Sequence, residues 1–217
     1  MVSASVAGRA GIPKREGGAR GQAGEARLWY RAGMHIARVL ITRDQIARRV
    51  AEMGREITAD FLASGAGAPG VEPQVVLIPI LTGSLVFVAD LIRHMPVQMS
   101  IRPVTITSYP GAATASQGAT IQGGLPTDLK DRHVLIVDDI LDSGRTLGLL
   151  RRMIDAQRPA SLRLAVLLNK HKAAGRDEHV EVDHSGFDIA DEFVVGYGLD
   201  YDGLWRNLPD IGVLEGV

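Results

Sequence analysis

The stretch HVLIVDDILDSGRT runs from His133 to Thr146. An apolar run leads into three aspartates (138, 139 and 142) and then into Ser143-Gly144-Arg145-Thr146. A continuous run of Val, Leu and Ile this short reads as a strand buried on both faces, as in a parallel sheet. Carboxylates are costly in such a core, so these belong at the strand's carboxyl end. In an open parallel sheet that end faces the crevice where ligands bind. Gly144 permits a tight turn from strand into helix. The free N–H groups of the helix start, with the Ser143 and Thr146 hydroxyls, form a cradle for a phosphate. Neighbouring carboxylates suit sugar hydroxyls or a hydrated magnesium ion. A sugar phosphate satisfies both halves. The plainer alternative, a solvated acidic strand end before an N-capped helix, does not account for the whole pattern of acid-acid-x-x-acid-Ser-Gly-x-Thr.

Working outward, the rest of the chain supports an α/β reading. Thr42-Arg43-Asp44-Gln45 has the form of a capping box. Ile46, Val50, Met53, Ile57 and Phe61 follow at helical spacing. After a Gly/Pro-rich break from Ser64 to Pro73, VVLIPIL (75–81) reads as a second fully buried strand, ended by Thr82-Gly83-Ser84. Residues 85–95 read as a helix. VQMSIRPVTITSY (97–109) is β-rich, with Pro103 marking an edge or a bulge. Residues 110–126 form a long small-residue stretch of the kind used as a functional lid. Residues 145–157 are amphipathic, SLRLAVLLN (161–169) is a further strand, and FVVGYGLDY (193–201) reads as a fourth. Apolar strands alternating with helices imply a mostly parallel twisted sheet flanked by helices.

Bulk composition narrows the function classes. The 217 residues carry 24 Lys+Arg against 25 Asp+Glu, so no net field draws the chain to nucleic acid or an anionic membrane. There is no cysteine, which excludes disulfides, thiolate metal sites and thiol nucleophiles and fits a cytoplasmic location. No apolar run approaches the ~20 residues of a membrane span. Residues 1–33 are rich in Gly, Ala and Arg and read as a disordered extension ahead of a single domain over 34–217. A transit peptide, or a natural start at Met34, would explain the same composition. No Walker-type G-x-x-x-x-G-K-[ST] is present, which argues against a kinase or phosphohydrolase of that kind.

VLIVDDILDSGRT resembles the phosphoribosyl-diphosphate (PRPP) binding motif of type I phosphoribosyltransferases. LTGSLVFVADLIRHM, TSYPGAA, LLNKHK, FVVGYGLDY and WRNLPDIGVL stand in the order found in hypoxanthine-guanine phosphoribosyltransferases, from about His35 to Val217. The last two segments point to the 6-oxopurine branch. The resemblance implies the type I fold, with a small hood built from N- and C-terminal segments, and a magnesium-dependent transfer of phosphoribose from PRPP to hypoxanthine or guanine. It implies that Asp138 and Asp139 bind the ribose hydroxyls and metal, with Asp138 where relatives usually carry Glu. It gives Asp142 to the purine N7 as general base, and Ser143, Gly144, Arg145 and Thr146 to the 5′-phosphate. Lys170 would donate to the purine O6, Phe193 would stack on the ring, and Val194 would read its edge. Asp200 would attend the purine and the magnesium ion, and Arg206 the diphosphate. Leu81, Thr82 and Gly83 would form a diphosphate loop with a non-proline cis peptide. Many relatives have lysine in place of Thr82, so here only backbone N–H groups are on offer. Ser108 and Tyr109 would open a mobile loop, followed by Pro110 in place of a small residue. A homodimer or homotetramer is implied, with no nucleic-acid or membrane partner. Two rivals remain: a regulatory, nucleic-acid-binding relative of the same fold, and an enzyme that prefers xanthine.

Overall fold

A computed structural model describes residues 33–66, 75–107, 120–122, 124–173 and 175–216. The proposed extension over 1–33 therefore lies outside the described residues but for Gly33, as do Ser108, Tyr109 and Pro110. Strand β1 (His35–Ile41) leads into helix α1 (Arg43–Ala63). The capping box is present. The Thr42 hydroxyl accepts from the Gln45 N–H at 3.4 Å, and Gln45 Oε1 accepts from the Thr42 N–H at 2.9 Å. Strand β2 (Val75–Leu81) and helix α2 (Leu85–Leu91) follow, with a 3₁₀ turn over Ile92–His94. The β-rich stretch splits into β3 (Met99–Ile101) and β4 (Val104–Thr107), both parallel to β2. Pro103, which has no N–H for a ladder, sits at the break. β5 (Thr120–Gln122) falls within the small-residue stretch and runs antiparallel to β4.

The opening stretch forms β6 (His133–Leu141) and the start of α3 (Arg145–Asp155). β7 (Ser161–His171) and β8 (His184–Ala190) complete the main sheet, in the order β5-β4-β2-β6-β7-β8 with β3 also on β2. The contacts among β2, β6, β7 and β8 are all parallel. Side chains alternate across the sheet. Val75, Leu77, Leu135, Val137, Ala165 and Leu167 pack on the face covered by α1 and α2. Val76, Ile78, Val134, Ile136, Leu164 and Val166 pack on the face covered by α3. This double cover is why the strands read as unbroken apolar runs.

One expectation is overturned. FVVGYGLDY is not the fourth strand of the parallel sheet; β8 is. Only Val194–Val195 (β9) extends, and it pairs with β10 (Ile211–Glu215), which also pairs with β1. Gly196, Tyr197 and Gly198 have φ of +101°, +49° and +104°, and three successive left-handed residues cannot continue a strand. HSGFDIA (β8) escaped notice because it is half-exposed and lacks a long apolar run. The three-stranded antiparallel sheet β1-β10-β9 is the small hood expected from the chain's two ends.

At the amino ends of the strands the buried His184 meets a partly exposed ion pair. His184 Nε2 is 3.3 Å from Asp60 Oδ2, which also receives Arg163. Burial pushes the His184 imidazole below its ordinary value, opposed by the Asp60 and Asp183 charges. His133 is lowered too, first by burial and then by Arg163. Both imidazoles bind protons more readily in the unfolded chain. Their contribution to stability is therefore complete above the ordinary histidine pKa and is lost as pH falls below it through the lowered folded values. The melting temperature should fall by a few degrees between about pH 7.5 and about pH 5.5, and His184→Gln should flatten that dependence in melts followed by circular dichroism.

Candidate active site

The carboxyl ends of β2, β6 and β7 lie side by side, and each delivers one part of the site. β6 remains a strand through Leu141, so Asp138 and Asp139 are strand residues rather than residues of a loop. Asp138 is buried, and its Oδ1 accepts from the Asp139 N–H at 3.0 Å. Burial, and then the Asp139 charge, push the Asp138 carboxyl well above its ordinary value. Asp139 is also raised by burial, with hydrogen bonds and the Arg206 charge acting against that rise. Two adjacent carboxylates carrying this electrostatic load suit a divalent cation with oxygen ligands. Among the described residues no three His, Asp or Glu side chains converge into a metal cage. Such an ion would therefore complete its shell with water and ligand oxygens.

Gly144 forms the N-cap of α3 at φ +83°. A Cβ there would collide with the Glu178 carbonyl, so the turn needs glycine for both its dihedral and its packing. The Glu178 N–H donates to the Ser143 carbonyl at 3.1 Å, and Arg145 pairs with Asp177 at 3.1 Å. A cleft of about 130 Å³ opens here, lined by residues 138–144, Thr146 and Leu147.

From β2 comes the Leu81-Thr82-Gly83 loop, with the expected cis peptide at Leu81-Thr82. It presses on β6, since a Cβ on Gly83 would overlap the Asp139 carboxylate. Gly198 is packed just as closely against the Gly83 carbonyl. The segment carrying Gly198 is held by Arg206. One Arg206 nitrogen donates to the Gly198 carbonyl at 2.6 Å, and another pairs with Asp200 at 2.7 Å. Asp200 also accepts from the Gly203 N–H. The Tyr197 hydroxyl donates to Asp90 on α2 at 2.7 Å; burial, then that bond and charge, push the phenol far up.

At the end of β7, Lys170 is buried and lies 3.5 Å from Asp142 and 3.6 Å from Asp191. Lys172 reaches the other Asp142 oxygen at 2.5 Å. Burial would raise the Asp142 carboxyl, but Lys172 and Lys170 together hold it below its ordinary value. Phe193 is 42% exposed, with its ring edge-to-face on Tyr201 at 5.4 Å. It is not the core residue an isolated phenylalanine would suggest. Val194 is buried on β9. The structure thus gathers Asp138, Asp139, Gly83, Asp200 and Arg206 into one group and Asp142 with Lys170 into another. Lys172 and Asp191 were missed by the sequence reading. LLNKHK contained a second lysine at i+2, which was the only available signal.

Residues 45–202 match the phosphoribosyl transferase domain. The chain belongs to the phosphoribosyltransferase family. It is 43% identical over 181 residues to the hypoxanthine-guanine phosphoribosyltransferase of Mycobacterium avium, covering 83% of this chain and 86% of that one. It is 39% identical over 178 residues to the hypoxanthine phosphoribosyltransferase of Escherichia coli, covering 82% and 95%. Among solved structures it resembles a point variant of the Trypanosoma cruzi hypoxanthine phosphoribosyltransferase complexed with the product IMP. That match has a TM-score of 0.74 and 37% identity, covering 82% of this chain and 90% of that one. Among the described residues of this phosphoribosyltransferase, no helix is long and apolar enough to cross a membrane.

Two glycines of the Arg206 segment separate strain from collision. Gly203 has φ +77° with open space around it, whereas Gly198 has both positive φ and the Gly83 carbonyl in the way. Gly203→Ala should lose about 1 kcal/mol of stability, and Gly198→Ala at least twice that, in urea unfolding.

Proposed function

We propose that this chain transfers the 5-phosphoribosyl group of PRPP to hypoxanthine or guanine, forming IMP or GMP and releasing diphosphate. The catalytic unit is residues 34–217, hood included. The observation that carries the reading is the pairing of Asp142 with Lys170 at 3.5 Å, beside the Ser143–Thr146 turn. A 6-oxopurine presents N7 and O6 side by side on one edge. A carboxylate next to a cationic donor matches that edge, whereas a 6-amino group would set donor against donor.

The remaining residues divide along the substrate. Ser143, Gly144, Arg145 and Thr146 hold the 5′-phosphate through backbone N–H groups and hydroxyls. Asp138 and Asp139 hold the ribose hydroxyls. Arg206 and the Leu81–Gly83 backbone bind the diphosphate and stabilise the charge it gains as it departs. Phe193 stacks on the purine, and Val194 meets its edge through the backbone. Asp138, Asp139 and Asp200 do not converge on one point, so they would meet magnesium in part through its bound waters, and the ion would supply positive charge against the leaving diphosphate. Asp142 accepts the purine imidazole proton as N9 bonds to C1 of the ribose.

The decisive assay incubates the protein with PRPP, magnesium and each of hypoxanthine, guanine, xanthine and adenine in separate reactions, and follows nucleotide formation. Product from hypoxanthine or guanine is expected, and none from adenine. A protein that forms no nucleotide from any 6-oxopurine but is retained on DNA or RNA at physiological salt would instead be the regulatory relative. Asp142→Asn should lower kcat by about 10²-fold or more while PRPP still binds, as read by calorimetry.

A further inference from the structure

Asp142 is served by two cations, each on a different oxygen. Lys170 Nζ lies 3.5 Å from Oδ2, and Lys172 Nζ lies 2.5 Å from Oδ1. The Oδ1 contact is the closer ion pair and the Oδ2 contact the looser one. The other charges facing this group come from the segments after β7 and β8. Asp191 and Asp177 act on Lys172 after Asp142 itself, and Asp191 also pairs with Lys170.

The segment that bears Lys172 is fastened to the turn that bears Asp142. Glu178 donates its N–H to the Ser143 carbonyl at 3.1 Å, and its carbonyl lies against Gly144. Asp177 pairs with Arg145. The Glu178 carboxylate pairs with Arg152 on α3. These contacts at Asp177 and Glu178, a few residues past Lys172, are made within the chain and involve no ligand, and Lys172 itself meets the turn through Asp142.

We propose that Lys172 is a positioning residue that holds Asp142 Oδ1 and keeps the carboxylate ionised, leaving Oδ2 to the purine. This rests on the reading of Asp142 as the proton acceptor. When the base enters, Lys170 turns its N–H toward O6, and its loose pair with Oδ2 opens. Half-buried and without that partner, Asp142 would gain proton affinity too early, because burial disfavours its charged form. Lys172, on the opposite oxygen, has no purine atom to answer and stays. The imidazole proton then passes to Oδ2 as the N9–C1 bond forms, and the bond from C1 to the diphosphate oxygen breaks with its electron pair on the diphosphate. Lys172 neither makes nor breaks a covalent bond.

The test compares wild type, Lys172→Met and Lys172→Arg across the pH range at saturating PRPP and magnesium. An NMR titration of ¹³C-aspartate-labelled protein runs alongside, with Asp142→Asn to assign the resonance. In Lys172→Met the loss of kcat/KM for hypoxanthine should be about fivefold deeper at about pH 5.5 than at about pH 8.5, because a less well-paired carboxylate protonates earlier. The Asp142 resonance should titrate at higher pH in that variant, and Lys172→Arg should restore both positions. An acid limb and a resonance left where the wild type has them would overturn the proposal, as would equal shifts in the Met and Arg variants. The two readings fail separately. Full turnover in Asp142→Asn would overturn the role of Asp142 as base and the catalytic meaning of Lys172 with it. The NMR titration would still report whether the Lys172 contact exists.

Discussion

A strand covered on both faces by helices has only its ends available for polar groups, and β6 is such a strand. Val134, Leu135, Ile136 and Val137 are wholly buried. The carboxylates that follow are allowed only because the sheet stops there. Everything chemical in the molecule is arranged around that limit. β2 on one side of β6 contributes the Leu81–Gly83 loop, and β7 on the other contributes Lys170. The strand order therefore sets the Leu81–Gly83 loop, the β6 acids and Lys170 next to one another, in the order in which the diphosphate, sugar and purine of the proposed substrates would lie.

Close packing without side chains holds this end of the sheet together. Gly83 against Asp139, Gly198 against Gly83 and Gly144 against Glu178 are contacts that any Cβ would block. They let three separate backbone segments crowd together around a ligand-sized crevice. The Tyr197–Asp90 bond and the Arg206 contacts then tie the hood's connecting segment to α2 and the crevice. The hood is in this way part of the site rather than an appendage.

The acids differ in how their charge is balanced. Asp138 is buried with the half-buried Asp139 beside it, and both are raised. Asp142, three residues on, is met by two lysines and is lowered. The Arg206 charge beside Asp139 does not offset the burial of the pair, which suits a cation. The other carboxylate already has its cations and is kept anionic. A single short segment thus supports two kinds of chemistry, because different neighbouring strands face its two parts.

The α/β class, the strands at 75–81 and 161–169, the capped helix from Arg43 and the acid-rich phosphate turn were all legible in the sequence. Each rests on local information: periodicity, a cap, or an apolar run ending in carboxylates and glycine. β8 was not legible, because a half-exposed edge strand has no unbroken apolar signal. FVVGYGLDY misled for the opposite reason, with β-forming residues broken by three left-handed ones. Lys172 and Asp191 gained meaning only from neighbours far along the chain. Chemistry at the end of one strand follows from its own residues, which the sequence by itself determined. Which cation meets which carboxylate depends on strand order and on where loops land, and only the tertiary structure decided that.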